Sequence, residues 1–351
     1  MNQDKSSDKA KKGFGNRSDY ISSRSHKAWK PSQPAKAFVP PDSPLMQEAR
    51  QLRLKRRFSQ NFLINATVLK KIAMLQDLQP GDTVLEIGAG SGFLTDALLQ
   101  TGAKVTAVEL DSGMCWYLKR KFQKPLGLLP DSALEGPVEP SLRLVEGDFL
   151  KLEPSVMEIP VTGTEPSSVS QCPERFKVVG NLPYGITSKI LFKLIGELED
   201  FDHAWRSRIS QLTFMVQKEV AERITAKPGE KAYNNLSIAM QMRCHARLEF
   251  IVPSRDFYPA PKVDSAIITL TPKKESLIPP EKMVAFSKLV QAAFAAKRKT
   301  LKNSLLLRKF ATPEQIDAAF VQSGIDPRSR AEALSIQEFG ALTDAFGLHP
   351  G

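Results

Sequence analysis

Only three cysteines occur in 351 residues, Cys115, Cys172 and Cys244, far apart and without C-x-x-C spacing. Neither a disulfide framework nor a zinc site is implied, and a reducing compartment fits. The four histidines, His26, His203, His245 and His349, form no pair at helical ligand spacing, so no metal is expected. No apolar run approaches the length of a membrane span, and the first residues contain no apolar stretch of the secretory-signal kind. Asp4, Asp8 and Asp19 interrupt the leading segment, which disfavours an organellar transit peptide; a soluble, cytoplasmic protein is expected. Acid is also in deficit: 38 Asp and Glu face 49 Lys and Arg, for a formal net charge of +11. Such an excess attracts a polyanion, and nucleic acid is the leading partner.

What is present falls into three parts. Residues 1–50, rich in Lys, Ser and Pro and without sustained periodicity, read as a disordered basic tail, with order beginning near Gln47. Residues 51–275 alternate apolar strands with helices, an α/β pattern. Residues 276–351 carry only helical patterns, at about 281–310, 313–323 and 336–346, which makes a small all-α domain. At the head of the second part, Arg56 and Arg57 belong to a basic run directly ahead of Gln60 and Asn61. The run is either a solvated approach to a short helix or a nucleic-acid contact, and its position favours the contact.

An apolar strand at 83–87 ends in Gly88-Ala89-Gly90-Ser91-Gly92 and leads into a helix, a nucleotide-type βα unit in which glycines allow close backbone approach to a ligand. A dinucleotide fingerprint starting at Gly88 would need its third glycine where Phe93 stands. Glu86 through Gly92, as Glu-x-Gly-x-Gly-x-Gly, instead resembles motif I of S-adenosylmethionine methyltransferases. The next strand, 104–110, carries Glu109 near its carboxyl end, placed to accept ribose hydroxyls or else to face water, with the ribose role favoured. A third strand, 142–146, leads to Asp148, a candidate acceptor for an adenine amine, and a fourth, 176–180, delivers Asn181-Leu182-Pro183-Tyr184.

That last tip is the most informative stretch. Pro183 fixes its own φ and holds Leu182 extended, so the Asn181 amide and the Leu182 carbonyl can face one small site beside the flat ring of Tyr184. Two acceptors and a stacking face suit the exocyclic amine of a planar base, as in amino-methyltransferases with an Asn/Asp-x-Pro-Tyr motif. Phe257, in the proline-stiffened stretch 257–265, either fills the core or sandwiches the base against Tyr184. In the first C-terminal helix, Lys297, Arg298, Lys299 and Lys302 form a basic run that is a solvated face or a phosphate contact.

Taken together, Arg57-Phe58-Ser59-Gln60-Asn61-Phe62-Leu63, the Glu86–Gly92 turn, Glu109, Asp148, the Asn181–Tyr184 tip, Gln217-Lys218-Glu219-Val220, the 257–265 stretch and the 297–305 run closely resemble the KsgA-type ribosomal RNA adenine dimethyltransferases. The resemblance spans about residues 55–346. It implies a class I, Rossmann-like S-adenosylmethionine methyltransferase with a seven-stranded sheet and a C-terminal helical domain. It also implies cofactor positions at Asn61, Leu63, Gly88, Glu109, Asp148 and Asn181, with Gly90 and Gly92 in the glycine turn. The expected reaction is N6,N6-dimethylation of adenosines near the 3′ end of small-subunit ribosomal RNA, within an immature small subunit, by a monomer. Gly185 and the two long loops after Phe122 and Leu152 depart from the family pattern without removing a catalytic group. The rival readings are a large-subunit methyltransferase of the erythromycin-resistance type, a non-catalytic assembly or transcription-factor-like binder, and a DNA adenine methyltransferase.

Overall fold

The apolar runs read from the sequence become the strands of one mixed sheet, set out here from a computed structural model that describes residues 42–52, 60–128, 141–157, 175–200, 202–296 and 298–347. Arg56, Arg57, Lys297 and nearly all of the expected N-terminal tail lie outside them. The chain enters through α1 (Pro44–Gln51), a two-residue strand β1 (Phe62–Leu63) and α2 (Ala66–Leu75). Then come β2 (Thr83–Ile87), α3 (Phe93–Leu99), β3 (Lys104–Glu109), α4 (Ser112–Lys121), β4 (Leu142–Glu146) and β5 (Phe176–Asn181). Next are α5 (Thr187–Ile195), α6 (Ala204–Arg208), β6 (Ile209–Gln217), α7 (Lys218–Thr225), α8 (Asn235–Arg243), β7 (Cys244–Val252), β8 (Phe257–Tyr258) and β9 (Ser265–Pro272). Four helices close the chain: α9 (Met283–Phe294), α10 (Leu301–Leu307), α11 (Pro313–Ser323) and α12 (Ile336–Ala345).

Strand order is β4-β3-β2-β5-β6-β9-β7, seven strands as expected. The neighbours from β4 to β6 are parallel, and β9 runs antiparallel to both β6 and β7. Chain order reverses between β2 and β5, so a ligand crevice opens at the carboxyl ends of those strands. The pleat sends Val84 into one apolar layer with Phe93, Leu94 and Leu98 of α3, and Leu85 and Ile87 into the other with α5. Among the described residues no helix is long and apolar enough to cross a membrane.

Two boundaries differ from expectation. Residues 44–51, assigned by sequence mostly to the tail, form α1: Ser43 Oγ caps it, Pro44 stands in its first turn, and Ala49 is fully buried. The single helix expected over 281–310 is two, because Thr300 takes an extended conformation and its hydroxyl accepts from Asn303 N, starting α10 afresh. Ser304 Oγ then donates to the Ala292 carbonyl at 2.8 Å, tying α10 to α9. The basic run consequently sits at a break, with Arg298 at φ 71°. These last helices share a continuous core with the sheet, which includes tilted ring contacts of Tyr233 with Phe294 and of Phe294 with Phe339.

Candidate active site

A cavity of about 450 Å³ opens at the carboxyl ends of the parallel strands. Its walls include Asn61, Leu63, Gly88, Gly90, Glu109, Asp148, Asn181, Leu182, Pro183 and Tyr184, so the described residues expected to hold cofactor or target base line it, except Gly92 and Phe257.

β5 reaches the cavity through a close backbone approach. A Cβ at Gly180 would lie 2.5 Å from the Ile87 carbonyl oxygen, so only glycine lets β5 bring Asn181 beside the glycine turn. Asn181 Nδ2 donates to the Asn61 carbonyl at 3.0 Å, which leaves Oδ1 as the acceptor on that side chain. The Leu182 amide donates to the Met215 carbonyl at 3.1 Å, and the Pro183 carbonyl accepts from Thr187 Oγ1 at 3.1 Å. The tip is thereby pinned to β6 and α5. Tyr184 shares a 2.8 Å hydroxyl hydrogen bond with the buried Ser265 Oγ, which fixes its ring against the cavity. Burial pushes the Tyr184 phenol above its ordinary value, so it stays neutral.

Glu109 is buried, and burial raises its carboxyl pKa against the lowering effect of backbone donors. Oε2 accepts from Gly90 N and Oε1 from Asp111 N, both at 2.8 Å. Each oxygen retains capacity for one further donor. Asp148 accepts from Leu150 N through Oδ1 at 3.0 Å, which keeps its other oxygen available to a ligand amine.

Two expected positions play other parts. Gly92 does not line the cavity: a Cβ there would fall 2.6 Å from Phe122 and 2.7 Å from Leu118, so this glycine lets α4 close against the turn. Phe257 is 3% exposed, pairs across β1 and β8 with Leu63 of the cavity wall, and packs in the core. That is the core-filling alternative of the two open to Phe257. Lys302 forms an ion pair with Asp317 of α11, so the basic run is less unbalanced than its sequence suggests. Arg298 and Lys299 are exposed.

Sequence reasoning assigned no structural role to Asp111, Ser265 or Thr95. Asp111 caps α4 through Gly113 N and accepts from Gln60 Nε2 at 3.3 Å, joining the segment before β1 to the strand end that carries Glu109. Its signal was the Asp-Ser-Gly start of a helix. Thr95 donates to Glu86 at 2.6 Å. Glu86 is 1% exposed, and burial first, with Glu109 contributing, pushes its carboxyl up to about 8. The folded state thus holds a proton that the unfolded chain releases, and Glu86's contribution to stability falls as pH rises from about 4.5 to about 8. Glu86→Gln, which cannot ionise, is expected to gain stability relative to wild type steadily across that interval in denaturant titrations. Parallel pH profiles for the two proteins would contradict a buried neutral Glu86.

A family model described as ribosomal RNA adenine dimethylase matches residues 51–346. A ribosomal RNA small subunit methyltransferase A of Anaeromyxobacter dehalogenans (strain 2CP-C) is 36% identical over 298 residues, 84% of this chain and 94% of that protein. The protein of the same description from Phenylobacterium zucineum (strain HLK1) is 38% identical over 299 residues, 85% of this chain and 90% of that one. Among solved structures, a dimethyladenosine transferase from Plasmodium falciparum aligns with TM-score 0.61 and 26% identity over 82% of this chain and 99% of that one. The 23S rRNA methyltransferase ErmE aligns with TM-score 0.58 and 27% identity, also over 82% and 99%.

Proposed function

This chain belongs to the ribosomal RNA adenine dimethylase family, and from that premise we propose that it dimethylates N6 of adenosines near the 3′ end of small-subunit ribosomal RNA, inside an immature small subunit. It is an S-adenosylmethionine-dependent rRNA adenine dimethyltransferase with the class I methyltransferase fold. The observation that carries the proposal is that Asn181, Leu182 and Tyr184 line the same cavity as Glu109 and Asp148. An amine-holding tip and a nucleoside-holding rim are thus within one enclosure. Identities of 36% and 38% to small-subunit methyltransferases, beside 27% to ErmE, support a small-subunit target over a large-subunit one.

The cavity suits S-adenosylmethionine in its donor and acceptor set. Glu109 would take the ribose hydroxyls, Asp148 the adenine amine, and the backbone from Gly88 to Gly90, together with Asn61 and Leu63, would line the rest. When bound, that cofactor supplies an electrophilic methyl group on a sulfonium. The residues of the chain act on the target base. The N6 lone pair of adenosine is delocalised into the ring, so the amine is a weak nucleophile. Hydrogen bonds from its N–H groups to Asn181 Oδ1 and the Leu182 carbonyl favour a pyramidal nitrogen with the lone pair aimed out of the ring plane. Tyr184, anchored by Ser265, supplies the stacking face that keeps the base out of its helix. No side chain at the tip is placed as a strong base, since Glu86 is tied to Thr95 and Tyr184 stays protonated. Catalysis is therefore positional.

RNA is expected to bind through counterion release at Arg298 and Lys299, with Lys302 contributing less because Asp317 already pairs with it. Converting Arg298 and Lys299 together to Glu should flatten the log–log salt dependence of RNA affinity by roughly 2 units and leave cofactor affinity unchanged. Filter binding across a salt series measures this, and an unaltered slope would assign those charges to solvent. The proposed target is tested by mass spectrometry of small-subunit RNA from cells with and without the protein. Dimethyladenosine near the 3′ end that persists without it removes the proposal.

A further inference from the structure

α1 ends at Gln51, where the family match begins. Glu48 of α1 accepts hydrogen bonds from the Tyr117 hydroxyl and from Lys121 Nζ, the latter at 2.7 Å, both on α4. Lys121 Nζ also donates to the Ser91 carbonyl at 3.2 Å. The ammonium lies 4.6 Å from the Phe93 ring centroid and 5.5 Å from that of Phe122. One cation is thus held by a carboxylate, a carbonyl and aromatic faces, with only 20% of its side chain exposed. Ser91 is buried in the glycine turn and lines the cavity. The next residue is Gly92, against which Leu118 of α4 and Phe122 just past its end close.

We propose that Glu48 and Lys121 are positioning residues for the cofactor: α1 locks Lys121 onto the Ser91 carbonyl and holds the glycine turn in its binding shape. An ion pair between two surface side chains contributes little. This one differs because its far end is a backbone carbonyl of the cavity wall. Without the Glu48 carboxylate, the Lys121 ammonium gains more by turning to water, the Ser91 carbonyl loses its donor, and the turn relaxes between α3 and α4. The proposal rests on the reading of this cavity as the S-adenosylmethionine site.

Calorimetric titration of the full-length protein with S-adenosylmethionine, well below its melting temperature, tests it. Glu48→Ala and Lys121→Met should each weaken binding roughly 3- to 10-fold, the scale of a lost charge-assisted contact, with the KM for RNA unmoved. The double variant should bind no more weakly than the weaker single one, because the pair acts as a unit. Lys121→Arg, which keeps charge and donors, should restore wild-type affinity. If Glu48→Ala lowers the melting temperature but leaves cofactor affinity intact, α1 is only a brace and the proposal is overturned. It is equally overturned if the double variant loses the product of the two single losses. A wild-type protein that binds no cofactor would overturn the site reading itself, and this proposal with it.

Discussion

Asn181→Ala is expected to lower turnover by roughly 100-fold or more while RNA affinity stays near wild type, the scale seen when a group positioned on the reacting centre is removed. Asn181 is fixed at both ends of its function. Its Nδ2 is committed to the Asn61 carbonyl, which fixes the side chain at the cavity wall with Oδ1 as its remaining acceptor. Alanine deletes the acceptor proposed to pyramidalise the amine and also frees the Asn61 segment, but it touches none of the exposed cations. Single-turnover kinetics at saturating RNA and cofactor isolates the methyl-transfer step from binding. A rate within a few-fold of wild type would remove Asn181 from the chemistry.

Glu109→Ala should act earlier, on cofactor binding. Two charge-assisted hydrogen bonds to ribose hydroxyls are worth about 2 kcal/mol or more, roughly a 30-fold loss of affinity. The same change strips Gly90 N and Asp111 N of their acceptor, so part of the loss comes through the turn. Glu109→Gln separates the two contributions. It keeps one acceptor oxygen for a backbone amide yet cannot accept from both hydroxyls, and it should fall between alanine and wild type. Calorimetry with S-adenosylmethionine gives both values; unchanged affinity in the alanine variant would exclude the ribose role.

The sheet was legible because each parallel strand is a mostly apolar run that ends on, or directly before, a polar or glycine residue, and those ends mark the crevice. Asn181, Glu109 and Asp148 could be placed from that pattern alone. What escaped depends on partners distant in the chain. β1 and β8 are two residues each and exist only as a pair, so neither has a local signature, and Phe257 is turned into the core by that pairing. Gly92 sits in a ligand motif, but its neighbour is α4, which no spacing rule reveals. The break at Thr300 was masked by a helical run of Leu and Lys, although Thr300 three residues before Asn303 is a capping arrangement. α1 lies among Pro, Ser and Lys residues that read as tail, and its docking depends on Tyr117 and Lys121 far downstream.

The proposed activity is tested most directly by one assay: incubation of the purified protein with small-subunit ribosomal RNA in immature particles and methyl-labelled S-adenosylmethionine, followed by nuclease digestion and mass spectrometry of the nucleosides. The predicted result is label in N6,N6-dimethyladenosine, abolished by Asn181→Ala. Label in no adenosine, or in a nucleoside methylated at another atom, would contradict it.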